Sequence, residues 1–142
     1  MTDESKPRPA LGDVWRYPYL WKREQSAGSS EGVKNRPCAL ALLKRSENGL
    51  SQIMLVPITT KPQDKNPYAV EVPEIEKKRA GLDMTLRLWV VTQEYNVDIV
   101  ERSYYFEPHA QLGSFSMSFV KQVQAKMIEA VKARKSLSVS RR

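Results

Sequence analysis

Cys38-Ala39-Leu40-Ala41-Leu42-Leu43-Lys44-Arg45, then Ser46-Glu47-Asn48-Gly49, then Gln52-Ile53-Met54-Leu55-Val56-Pro57-Ile58 is the stretch that decides the fold. Two apolar runs of strand length flank a turn-forming cluster, the pattern of an antiparallel hairpin with two central strands. At the outer ends of the hairpin sit polar residues, Arg36 before Pro37 and Thr59 after Ile58. Strand ends border loops, and loops carry sites.

Upstream of the hairpin, Asp13 to Leu20 is rich in aromatic and β-branched residues and predicts a first strand, with Pro18 marking an edge or bulge. Trp21 to Asn35 is polar, contains Gly28 and Gly32, and shows no apolar period, so it predicts a long flexible loop. Its length suits either a functional loop or a tolerated surface insertion. Downstream, Lys61 to Pro67 predicts a loop and Tyr68 to Val72 a short strand. Glu74 to Ala80 predicts a helical turn ending at Gly81. Leu86 to Val91 predicts a core strand with Thr92 to Asn96 at its end, and Ile99 to Phe106 a further strand.

Phe119, Val120, Val123, Met127, Ala130 and Val131 recur at helical spacing, so Ser116 to Arg134 predicts an amphipathic helix. Its apolar stripe must be buried, and a small barrel of roughly five to seven strands offers a face for it. The expected organisation is a flexible lead-in over residues 1–10, a single domain over 11–135 and a basic disordered tail over 136–142.

A chain of 142 residues, 41% hydrophobic and 27% charged, has material for one sizeable core. The net charge of +7 favours an anionic partner. Most of that charge lies from Lys121 onward, where seven cations face the single acid Glu129, and we read it as a solvated helix face with a basic end rather than a dedicated nucleic-acid arm. The lone cysteine, Cys38, excludes an internal disulfide and reads as a buried hydrophobe rather than a nucleophile. A single histidine, His109, removes His-pair and His-based metal chemistry, so any catalysis is expected to need no metal and no cofactor. No apolar segment approaches the length needed to span a bilayer, and Met1 to Pro9 lacks a signal-peptide core, which predicts a cytoplasmic protein without membrane contact.

In order and separation, Gly12-Asp13-Val14-Trp15, Arg36-Pro37 and Val56-Pro57-Ile58-Thr59 resemble the first strand, Arg-Pro pair and Pro-Ile-Thr strand end of the PemK/MazF toxin superfamily, the plasmid maintenance toxins and cell growth inhibitors. Gly81-Leu82-Asp83, Leu88 to Gln93 and Leu112-Gly113-Ser114-Phe115-Ser116 resemble its later segments, so the likeness covers nearly all the chain after Ala10. Leu20-Trp21-Lys22-Arg23-Glu24 and Glu31 to Pro37 resemble a branch with a charged extension before Arg-Pro. The resemblance implies a mainly β fold, an SH3-like β-barrel with a C-terminal amphipathic helix and short connecting helices.

It also implies a homodimer that binds single-stranded RNA, is held by a cognate antitoxin, and cleaves RNA without metal through attack of the 2′-hydroxyl, leaving a 2′,3′-cyclic phosphate. Carried over by position, Arg36 would stabilise the phosphorane, Thr59 would donate to the same phosphate, Asp98 would match the family acid and Glu94 would be a spare carboxylate able to act as base. Trp21, Lys22, Arg23, Lys34, Thr60, Lys61, Gln93 and Tyr95 would contact RNA. Trp21 suits stacking on an unpaired base, or equally capping the barrel. Tyr104-Tyr105-Phe106 reads as core and edge packing.

One position departs from the pattern: Tyr95 stands where many members carry a second arginine. Removing a guanidinium from a phosphoryl-transfer site costs rate, so the competing reading is a catalytically weak nucleic-acid-binding or protein-binding module. A DNA-binding autoregulator has only the net charge behind it.

Overall fold

The computed structural model of the protein describes residues 8–28 and 34–141. Residues 1–7 of the expected lead-in therefore lie outside the described residues. The expected hairpin forms, as β2 (Arg36–Arg45) and β3 (Ser51–Thr59), antiparallel in the register Cys38 to Pro57. Leu40 pairs with Leu55 but Leu42 with Met54, so Ala41 is an extra residue that bends β2. β1 (Asp13–Tyr17) lies on the other side of β2 and ends at Pro18, shorter than the predicted strand because proline has no N–H to give the ladder.

Around this centre the described strands form one eight-stranded sheet. Its path runs β4 (Ala69–Glu71), β5 (Trp89–Val91), β3, β2, β1 and β7 (Gln111–Ser114), with β6 (Glu94–Ile99) on β3 and β8 (Leu137–Ser140) on β6. All pairings are antiparallel except β6 with β8, and the path has open ends at β4 and β7. The protein is thus mainly β with a few helices.

Among the described residues three α-helices accompany the sheet: α1 (Lys22–Ser26), α2 (Glu74–Arg79) and α3 (Met117–Lys132). α3 matches the predicted amphipathic helix, and Ser116 caps it by accepting from the Phe119 N–H. Among the described residues no helix is long and apolar enough to cross a membrane.

Strand alternation separates two cores. Val14, Ala39, Val56, Ile58 and Val90 face α3 and pack with Phe119, Val120, Val123 and Met127. Trp15, Tyr17, Cys38, Leu40, Ile53 and Leu55 point the opposite way and are covered by Tyr19, Trp21, Phe106 and Ala110. Burial on both faces explains why Cys38 to Ala41 reads as a continuous apolar run rather than an alternating one, whereas Leu42 and Leu43 beyond it are exposed. α2 abuts β7 closely: a Cβ on Gly81, whose φ is +67°, would lie 2.3 Å from the Leu112 carbonyl oxygen.

Several expectations are corrected. Part of the predicted flexible loop is α1, which begins where the Glu24 carboxylate reaches back to the Trp21 N–H at 3.0 Å. Only Ile99 of the predicted Ile99–Phe106 strand is extended ladder; Val100–Arg102 and Pro108–Ala110 are 3₁₀ turns. Phe106 is buried and Tyr105 half-buried, but Tyr104 is 89% exposed and packs into no core. The predicted core strand Leu86–Val91 is reduced to β5, because Arg87 turns to the Glu71 carboxylate at 2.8 Å. The predicted disordered tail contains β8, whose Val139 is fully buried. A Leu-Ser-Val-Ser alternation is short enough to pass for a polar end, yet it completes the ladder that β6 leaves open.

Candidate functional site

One face of β6 carries polar residues at alternate positions, Glu94, Asn96 and Asp98, and each holds the chain that leaves β1. Asp98 accepts from the Tyr17 hydroxyl at 2.7 Å. Asn96 accepts from the Leu20 N–H at 2.9 Å and donates to the Leu20 carbonyl at 2.8 Å. Glu94 accepts from the Lys22 N–H at 2.7 Å. A period of two along a strand places all three on one face, and they fasten residues 17–22 across that side of the sheet.

This fastening fixes Trp21. Its ring meets Tyr19 edge-on at 5.1 Å between centroids, and the guanidinium carbons of Arg23 and Arg36 lie 4.7 and 5.7 Å from its own centroid. An aromatic face attracts cations through its quadrupole. Guanidinium groups from α1 and from the start of β2 therefore gather on one indole. Among the described residues neither forms an ion pair. The Trp21 indole N–H and the Tyr19 hydroxyl are buried without a well-formed hydrogen bond, which is uncommon and costs about 1–3 kcal/mol per group.

Thr59 belongs to the same end. Cys38 and Pro57 form the last pair of the β2–β3 ladder, and Arg36 and Thr59 each lie two residues beyond it on their own strands, where alternation puts both on the face that carries Cys38. The Thr59 Oγ1 accepts from the Lys61 N–H at 3.1 Å, which leaves its own proton free to donate.

Glu94 is the titratable group here. Burial raises its carboxyl above the ordinary glutamate value, opposed by the Lys22 N–H bond, the nearby Tyr19 hydroxyl and the charge of Arg23. A half-buried carboxyl of raised pKa beside guanidinium groups is a stronger base than an exposed glutamate and is placed to take a proton. Burial also pushes the Tyr19 hydroxyl up, with the Glu94 carboxylate adding to it, so Tyr19 stays protonated.

The remaining sequence-predicted residues divide. Lys22 sits on α1 with its ammonium on Gln25 Oε1, and Lys34 and Thr60 are exposed. Lys61 and Gln93 line a neighbouring cleft. Tyr95 does not join the site: alternation turns it to the opposite face of β6, into an apolar groove with Leu42, Met54 and Met127. Asp98 lies apart from the Trp21 cluster. It is 3% exposed, both its oxygens are engaged, by Tyr17 and by the Ile99 N–H, and it lies about 13 Å along β6 from Glu94. It is a structural anchor.

Cys38 is fully buried with its thiol pushed up by desolvation, as befits a core residue. Sequence reasoning missed Tyr19 and Asn96. The alternating Glu94-x-Asn96-x-Asp98 pattern in a strand was the available signal for the second. Compared with known proteins, the chain matches no protein-family model and no curated protein.

Proposed function

We propose that the protein is a metal-independent endoribonuclease of the PemK/MazF toxin kind, acting on single-stranded RNA at the Trp21–Arg36 end of the sheet. The observation that carries this reading is the pair of guanidinium groups on Trp21 beside the half-buried Glu94 carboxyl. In this reading the open sheet with α3 across one face is a partly open barrel of the SH3-like type.

Glu94 takes the proton of the RNA 2′-hydroxyl, and the 2′-oxygen attacks the adjacent phosphorus. Arg36 and Thr59 hold the equatorial oxygens of the phosphorane, since a planar guanidinium matches phosphate geometry and stays charged. The bond to the 5′-oxygen breaks, that oxygen takes a proton from water, and a 2′,3′-cyclic phosphate remains. Arg23 supplies the second cation that Tyr95, facing away, cannot. Trp21 holds both arginines in place.

A catalytically weak binding module is the second reading. It is favoured by the Lys22 N–H bond, which already occupies one Glu94 oxygen. A homodimer, a cognate antitoxin and a cytoplasmic location come with the toxin reading and stand or fall with it.

Incubating the full chain with a long single-stranded RNA in EDTA, beside Arg36→Ala, tests the proposal. Discrete fragments with cyclic phosphate ends, absent from the variant, are expected. Intact RNA at enzyme excess would favour the binding module, and unchanged cleavage by the variant would remove Arg36 from the chemistry.

A further inference from the structure

Beyond Thr59 the Lys61–Tyr68 loop faces the turn between α3 and β8 across a cleft of about 540 Å³. Lys61 and Lys65 enter it from the loop and Lys135 from the turn. Its floor is a chain of side-chain amides: Asn66 Nδ2 donates to Gln63 Oε1 at 3.0 Å and to Gln93 Oε1 at 3.2 Å. The loop's acid, Asp64, is drawn off by Arg87 at 3.5 Å. Among the described residues none of the three lysines forms an ion pair.

Uncompensated ammonium groups converging from two segments make a field suited to a polyanion. The hydrogen-bonded amide floor holds the loop in shape. It offers polar contacts rather than an apolar anchor, which fits a sugar-phosphate chain better than an acidic peptide.

The cleft also continues the site described above along two separate strands. Lys61 holds Thr59 Oγ1 through its N–H, and Gln93 precedes Glu94 in the chain. Two residues of chain span about 7 Å, so a strand of RNA leaving the Arg36–Thr59 end meets the lysines within a nucleotide or two.

We propose that the cleft of Lys61, Lys65 and Lys135 is a subsite for the phosphates of single-stranded RNA flanking the position held by Arg36 and Thr59. The inference rests on the RNA reading given under Proposed function and adds the path of the strand. Lys135, in the turn that follows α3, thereby acquires a role that Lys121 and Lys126 on the helix do not share. The charge of that region is divided between a binding residue and a solvated face.

The test measures binding of a fluorescein-labelled 2′-O-methyl single-stranded RNA, which cannot be cleaved, to the full chain over a series of salt concentrations. Lys65→Gln/Lys135→Gln is compared with Lys44→Gln/Lys121→Gln, which removes equal charge from exposed positions elsewhere. The cleft variant is expected to bind roughly tenfold more weakly, with a salt slope flatter by about 1.4, while the control stays near wild type. Thermal unfolding verifies that both variants are folded. Equal losses in the two variants, or none in the cleft variant while wild type binds, would overturn the subsite alone. No binding by wild type would overturn the RNA reading and the subsite with it. Displacement of the RNA by poly-glutamate at comparable charge concentration would reassign the cleft to an acidic protein and overturn the proposal.

Discussion

Asn96 grips both the N–H and the carbonyl of Leu20, at 2.9 and 2.8 Å, and so ties the middle of the sheet to the segment that carries Trp21. A buried backbone amide outside any ladder needs such a partner. The Asn96 amide side chain both donates and accepts across this gap.

Replacing Asn96 by Ala should therefore orphan two buried backbone groups and cost about 2–4 kcal/mol of stability. Asn96→Asp should also destabilise, because the carboxylate cannot donate to the Leu20 carbonyl. Urea unfolding measures both. A loss below about 0.5 kcal/mol for Asn96→Ala would show that residues 17–22 are held by other means.

Glu94 links stability to pH in an unusual direction. Its folded pKa is raised, chiefly by burial, so the folded state binds this proton more tightly than the unfolded state does. The stability it contributes is present below the unfolded glutamate value and is lost as pH rises through the folded value. Glu94→Gln keeps an acceptor for the Lys22 N–H and should be at least as stable as wild type at neutral pH, yet lack RNA cleavage. A destabilised Gln variant at pH 7 would contradict this.

Glu76 has the opposite sign. Although burial works to raise its pKa, the N–H and hydroxyl of Ser116 and the Arg79 guanidinium outweigh burial and lower it. The carboxylate accepts from both Ser116 groups at 2.8 Å and from Arg79 at 2.8 Å, anchoring the start of α3 to α2. Its contribution is present above the unfolded glutamate value and lost as pH falls through the folded value. Glu76→Gln should lower the neutral-pH melting temperature and flatten its fall in acid; parallel pH profiles would refute the link.

Deleting residues 137–142 should lower the melting temperature by several degrees, because it strips β8 from β6 and removes buried Val139. Arg141, whose guanidinium lies over the Tyr105 ring at 5.5 Å and bonds its hydroxyl at 3.2 Å, is lost as well. A truncated protein as stable as the full chain would restore the reading of these residues as a solvated tail.

Arg23→Ala should leave stability within about 0.5 kcal/mol, since Arg23 is exposed, yet reduce cleavage by roughly 10²-fold, if it acts as the second cation. Arg45→Ala, at the far end of β2, is the comparison. Equal rates for the two variants would remove Arg23 from the site.

The hairpin, α2 and α3 were legible in the chain because each rests on local periodicity and its own turn or cap, Asn48-Gly49, Gly81 and Ser116. Arg36 and Thr59 were legible as polar residues at strand ends. Only the tertiary structure could show that Arg23 and Arg36 share one indole, that Tyr95 faces away from Glu94, and that Asp98 anchors Tyr17. β8 escaped notice for the same reason: four alternating residues carry little propensity of their own and become a strand only when the open edge of β6 supplies its hydrogen bonds. Local pattern is written in neighbouring residues. Contacts between residues far apart in the chain, about 76 positions in the case of Leu20 and Asn96, are decided by which ladder, face and register the sheet brings together.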